Sequence, residues 1–226
     1  MSRTIRQEIK SLLMAGDLDS LLKFLASVPP KKAVQPLIQF FYHTGSLERW
    51  HAITAFGIVV DRIACQEMED ARIIIRRLMW SLNDESGGIG WGAPEAMAEA
   101  MARNPRLAEE YCRILLSYVW EEGNYLEYLP LRRGALWGLM RLAQSRPGLF
   151  NDIDSARILK DYLRDDDAES RALAALALGF AGRNEYCREM SDMLSDHREF
   201  MLYLDKKWEN ISVADAVEKA LDILSC

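Results

Sequence analysis

The residues best suited to recognition chemistry stand in two connectors. In NDESGGIGWGAP, which begins at Asn83, Asp84 and Glu85 precede Gly87, Gly88, Gly90 and Gly92, with Trp91 between the last two. Glycines let a backbone approach a ligand closely, and an indole offers a stacking face. Pro94 suits the first position of a helix, so the N-terminal N–H groups of that helix would face this connector, as in an anion site. Asp84 and Glu85 oppose that use, because nearby carboxylates repel phosphate. The glycine string also follows a helical pattern and not a strand, so it is not the dinucleotide fingerprint. The second connector, EEGNYLEYLP, sets Glu121, Glu122 and Glu127 beside Tyr125 and Tyr128. Carboxylates interleaved with aromatic rings suit a basic segment of a partner protein. Should both connectors emerge on one edge, residues 82–93 and 121–130 would build a single binding surface. A structural alternative stands beside this: the glycines turn the chain, Trp91 plugs a gap between repeats, Asp84 or Glu85 pairs with Arg132 or Arg133, and the glutamates form a solvated rim.

Signatures of catalysis are missing. None of the three histidines, His43, His51 and His197, is followed by glutamate, and there is no H-E-x-x-H run or cysteine cluster. No metal site and no cofactor is therefore expected. No G-x-S-x-G or P-loop supplies a nucleophile or a phosphate cradle, and no catalytic residue is assigned. With 28 Lys and Arg against 34 Asp and Glu, the formal charge is −6. That balance disfavours nucleic acid and anionic membrane surfaces as partners. Cys65, Cys112, Cys187 and Cys226 are widely spaced. They read as reduced, small hydrophobes of a cytoplasmic protein. No apolar run is long enough for a signal peptide or a membrane span.

The elements that must position the connectors are helices. Ile5, Ile9, Leu12 and Leu13 share a helical face, closed by Gly16 and followed by Asp17 as a cap. Pro36 is expected only in the first turn of a third helix. Within this helical pattern a motif recurs: RWHAITAFG from Arg49, RRGALWGLM from Arg132 and RALAALALG from Arg171. A small residue falls three positions after each arginine (Ala52, Ala135, Ala174) and again six after (Ala55, Gly138, Ala177), with an apolar residue at seven. The spacings, 132 − 49 = 83 and 171 − 132 = 39, make the unit about 40 residues long, the period of an α-solenoid. The pattern predicts an all-α right-handed superhelix of about five helix pairs, spanning 1–226 as one domain. Phe200, Leu202 and Leu204 alternate with Met201 and Tyr203, the pattern of a small hairpin near 199–211 or of an extended arm closing the last repeat. Ser212 and Asp215 read as a capping box for the last helix.

The string DDDAESRALAALALGFAGR resembles the HEAT-like repeat, in particular the short variety named after phycobilisome lyases, whose pattern runs D-x-x-V-R-x-x-A-A-x-A-L-G-x-x-G. Asp167, Arg171, Ala174, Ala175, Ala177, Leu178, Gly179 and Gly182 carry the match. Ser170 stands where that family has valine, and the units at Arg49 and Arg132 match in part. The resemblance implies an armadillo-like superhelix. It also implies a set of possible roles: protein-binding scaffold, phycobilin lyase, deoxyhypusine hydroxylase or alkylpurine DNA glycosylase. The His-Glu pairs of the hydroxylase are missing here. The expectation is a non-enzymatic binding module that engages a protein partner through the two connectors, with candidate residues Asp84, Glu85, Gly87, Gly88, Gly90, Trp91, Glu121, Glu122 and Tyr125. The competing expectation is an enzyme acting on nucleic acid, with Arg49, Arg132, Arg133 and Arg171 lining its concave side, or a bilin-handling protein.

Overall fold

Helix-forming runs punctuated by caps and glycine stops dominate the chain. The computed structural model describes residues 2–83 and 90–226. Chain contacts divide it into two units, Met1–Glu110 and Tyr111–Cys226. Each is treated by itself.

The first unit holds α1 (Ser2–Met14), α2 (Leu18–Ser27), α3 (Pro30–Ile38), a 3-10 turn (Gln39–Tyr42), α4 (Leu47–Gln66), α5 (Met68–Leu82) and α6 (Ala93–Arg103). Ile5, Ile9 and Leu13 of α1 face inward as the spacing predicts. Gly16, at φ 69°, stops α1 in a left-handed turn, with the Gly16 and Asp17 N–H groups donating to the Leu13 and Leu12 carbonyls. Asp17 then caps α2 through the Ser20 N–H at 2.9 Å. Arg62 of α4 closes the other end of α2, donating to the Leu25 and Ala26 carbonyls. Pro36 departs from expectation. It lies inside α3, because Pro30 takes the first helical position. The helix ends two residues later and tightens into the 3-10 turn, so the missing N–H costs little.

Helix α4 is the spine of this unit. It is buried along nearly its whole length and packs on α3, α5 and α6. At Gly57 the α6 backbone comes so near that an added Cβ would sit 2.8 Å from the carbonyl carbon of Glu99.

Helix α7 (Pro105–Ser117) contains the division between the units. Beyond it, the second unit holds α8 (Leu129–Ser145), α9 (Ile153–Asp161), α10 (Ala168–Phe180), α11 (Cys187–Ser191), β1 (Glu199–Leu204), β2 (Lys207–Ser212) and α12 (Val213–Leu224). Here α10 is the spine, packed between α8 and α12. The three motif helices are thus α4, α8 and α10, and their small residues are buried. Gly179 repeats the device of Gly57: an added Cβ would meet the Cα and Cβ of Ala220 at 2.9 Å. Both glycines stand eight positions after the motif arginine (49 + 8 = 57, 171 + 8 = 179). Gly179→Ala is therefore expected to lower stability by about 1–3 kcal/mol despite alanine's better helix propensity, because α12 must shift. A urea midpoint equal to or above wild type would show that the approach is not close.

The hairpin is present. Strands β1 and β2 pair antiparallel, Leu204 opposite Lys207 and Glu199 opposite Ser212. Asp205 and Lys206 take positive φ at 52° and 65°, the two-residue turn that matches strand twist. Trp137, which widens the motif face of α8, donates its indole N–H to the Tyr203 carbonyl at 2.7 Å and so docks the hairpin. Ser212 and Asp215 form the capping box of α12. Cysteines depart from the reduced reading: Cys187 and Cys226 are joined in a disulfide, while Cys65 and Cys112 are free. Sequence separation hid this pair, which α11 and α12 bring together. No helix among the described residues is long and apolar enough to cross a membrane.

Candidate functional site

The motif arginines share one job. Arg49 donates Nε–H to the Phe41 carbonyl at 3.2 Å. Arg132 donates to the carbonyls of Leu126 (2.9 Å) and Glu127 (3.2 Å), and Arg171 to that of Asp165 (2.9 Å). Each guanidinium thereby latches the start of its helix to the connector just before it. Carboxylates complete two of the latches. Arg49 pairs with Glu95 of α6 at 2.5 Å, both buried, and Arg171 pairs with Asp196. Neighbouring Arg133 pairs with Asp167 and, at 3.1 Å, with Glu169. Burial opposes ionisation of Asp167, yet hydrogen bonds from Arg133 and Ser170 outweigh it and hold the carboxyl below its usual range. That stabilisation is present above the unfolded-state value and is lost as pH falls through the folded one, so it fades only in the acid range below about 4.

The latch at Arg132 shapes the second connector. The Arg132 guanidinium lies over the Tyr125 ring, 4.9 Å from its centroid. Tyr125 thereby becomes one wall of a hollow of about 410 Å³, lined by Val119, Trp120, Glu121, Glu122, Arg157, Ile158, Asp161, Tyr162 and Asp165 as well. Glu121, Glu122 and Asp161 are exposed, Trp120, Tyr125 and Asp165 half-buried, and Tyr162 buried. Tyr162 donates its hydroxyl to the Val119 carbonyl at 2.8 Å. Burial pushes that phenol upward, which keeps it a donor. Among the described residues, four carboxylates and one guanidinium face the hollow. Its electrostatic character is that of a cation receptor with aromatic sides.

The predicted residues fall as follows. Glu121, Glu122 and Tyr125 come together in this hollow. Gly90 and Trp91 lie in the first unit, where they line a separate, largely apolar hollow of about 170 Å³ with Ile38, Phe41, Tyr42 and Leu78. At Gly90 an added Cβ would meet the Ser81 carbonyl oxygen at 2.8 Å, so that glycine serves a close approach. Asp84, Glu85, Gly87 and Gly88 lie outside the described residues. Arg132 and Arg133, offered above as partners for Asp84 or Glu85, are engaged within the second unit.

Sequence reading missed Trp120, Asp161, Tyr162 and Asp165 as members of a site. A usable signal existed in the repeat. Leu126 and Asp165, whose carbonyls the latches hold, both stand six positions before a motif arginine (132 − 126 = 6, 171 − 165 = 6). Two successive connectors thus supply opposite walls. No group of three or more metal-binding side chains occurs among the described residues.

Comparison with known proteins adds three findings. An uncharacterised protein of Archaeoglobus fulgidus is 32% identical over 167 residues, covering 72% of this chain and 79% of that protein. The crystal structure of an engineered protein matches 98% of this chain and 96% of its own at a TM-score of 0.54 and 15% identity. A designed armadillo repeat protein matches 99% and 100% at a TM-score of 0.50 and 15% identity. No protein-family model matches. The structural likenesses establish an armadillo/HEAT-like repeat fold and nothing about chemistry.

Proposed function

Since the chain belongs to one family with the uncharacterised Archaeoglobus fulgidus protein and has an armadillo-like fold, we propose that it is a non-enzymatic binding module for a protein partner. Its receptor is the acidic, aromatic hollow of the second unit. The ligand is an extended segment bearing arginine or lysine. The observation that carries this reading is the convergence of Glu121, Glu122, Asp161 and Asp165 around Trp120, Tyr125 and Tyr162. Carboxylates steer and orient a cationic side chain, while the rings supply the apolar area and cation–π attraction that hold it. The competing enzyme reading needed Arg49, Arg132, Arg133 and Arg171 on an open face. Their engagement with connector carbonyls and carboxylates favours the protein-partner reading over it. The finer placement of the repeats in the phycobilisome-lyase variety rests on the α10 string and belongs to this proposal.

Fluorescence anisotropy of a labelled tetra-arginine peptide tests the receptor. Glu121→Lys with Asp161→Lys is expected to weaken binding at least tenfold, about 1.4 kcal/mol. Tyr125→Ala is expected to cost about 1–2 kcal/mol of affinity. Raising ionic strength should weaken the wild type and leave the reversed variant little changed. Equal binding by wild type and the double variant would remove this hollow as the receptor.

A further inference from the structure

A third hollow, also in the first unit, has chemistry opposite to that of the acidic one. It measures about 370 Å³ and is lined by Arg6, Gln7 and Lys10 of α1, by Pro36 of α3, and by Gln39, Phe40 and His43 at the 3-10 turn. Arg6 and Lys10 stand one helical turn apart, so both lie on the same flank of α1. The adjacent flank of that helix, Ile5, Ile9 and Leu13, is buried and fixes the orientation of the cationic flank. Phe40 and Pro36 are buried and form an apolar floor. The His43 ring lies 4.7 Å from that of Phe40.

Among the described residues no carboxylate lines the hollow, and neither Arg6 nor Lys10 has an ion-pair partner. Arg49, Arg62, Arg132, Arg133 and Arg171, by contrast, are committed to carbonyls or carboxylates. Glu48, at the start of α4, lies within electrostatic reach of His43. Two carboxamides, Gln7 and Gln39, add donors that can rotate to suit.

We propose that this hollow binds a small phosphate-bearing molecule. The guanidinium of Arg6 and the ammonium of Lys10 would hold the dianionic group, with the amides of Gln7 and Gln39 completing its hydrogen bonds. The floor of Phe40 and Pro36 would take the uncharged body of the ligand. Two features favour a small ligand over a nucleic acid. The volume lies in the range of roughly 300–1,000 Å³ usual for small-molecule sites. The acidic balance of the chain repels an extended polyanion.

Isothermal titration calorimetry of the full chain with sodium phosphate, pyrophosphate and a hexose 6-phosphate tests the proposal, with a tetra-glutamate peptide as a further arm. At least one phosphate compound is expected to bind with Kd below about 1 mM. Arg6→Gln with Lys10→Gln should weaken it tenfold or more, and Lys219→Gln should leave it unchanged. Both mutated side chains are exposed, so the melting temperature should hold; were the double variant unfolded, Lys10→Gln alone gives the same reading at about threefold. Free phosphate binding as well as the sugar phosphate would assign recognition to the anion alone; preference for the sugar phosphate would assign a role to the floor. The proposal fails if no phosphate compound binds at 10 mM, if the variants bind as wild type does, or if tetra-glutamate binds tighter than every phosphate.

Discussion

Arg49→Ala is expected to destabilise the first unit by about 3–5 kcal/mol, because it strands a buried carboxylate. Glu95 sits on α6 with its side chain 6% exposed, and Arg49 is its ion-pair partner. The second oxygen, Oε2, has no hydrogen-bond partner, so nothing in place can take over when the guanidinium goes. The Phe41 carbonyl loses its donor in the same substitution. Removing the charge from both sides should behave differently. Arg49→Met with Glu95→Leu fills similar volume without leaving an unpaired ion, and should recover most of the loss. Urea unfolding followed by circular dichroism measures both. A single-variant loss under about 1 kcal/mol, or a double variant no better than the single, would mean that the pair does not carry this cost.

Breaking the Cys187–Cys226 bridge is expected to cost the second unit a comparable amount. The bridge spans a sequence separation of 39, and loop-closure entropy for a ring of that size corresponds to about 4 kcal/mol. Cys226 follows a left-handed turn at Ser225 that ends α12, so the bond ties the end of that helix to α11. Because α12 also presses on Gly179, loosening its end should propagate to the α10 contact. The measurement compares urea midpoints of Cys187→Ser/Cys226→Ser and wild type without reductant. Thiol titration of the unfolded, unreduced chain should find two reactive groups, from Cys65 and Cys112. Four would show the bridge absent.

Periodic and local features were legible in the sequence. The arginine and its small residues announced α4, α8 and α10, because close helix packing demands small side chains at fixed spacing. The alternation at Phe200–Leu204 and the Ser212/Asp215 pair announced the hairpin and the last cap, since both are local chemistry. Tertiary coincidences were not legible. Glu95 meets Arg49 across a separation of 46 residues, and no pattern in either segment names the other. Pro36 was misplaced because the start of α3 is fixed by Pro30, three residues after α2 ends at Ser27. The candidate site was half visible. Glu121, Glu122 and Tyr125 stood out as an acidic, aromatic run, whereas Asp161 and Asp165 looked like a helix end and a cap. Only the stacking of one repeat on the next sets them opposite.

The arginine latch has a further consequence for how such a chain can diversify. What each guanidinium grips in the preceding connector is a main-chain carbonyl, a group that every amino acid carries. The geometry of the repeat therefore places no demand on side-chain identity at Leu126, Glu127 or Asp165 as far as the latch is concerned. Connector side chains can be rewritten while the scaffold keeps its register. Specificity can drift, or be grafted, one connector at a time, and the repeat remains a constant frame for a variable text.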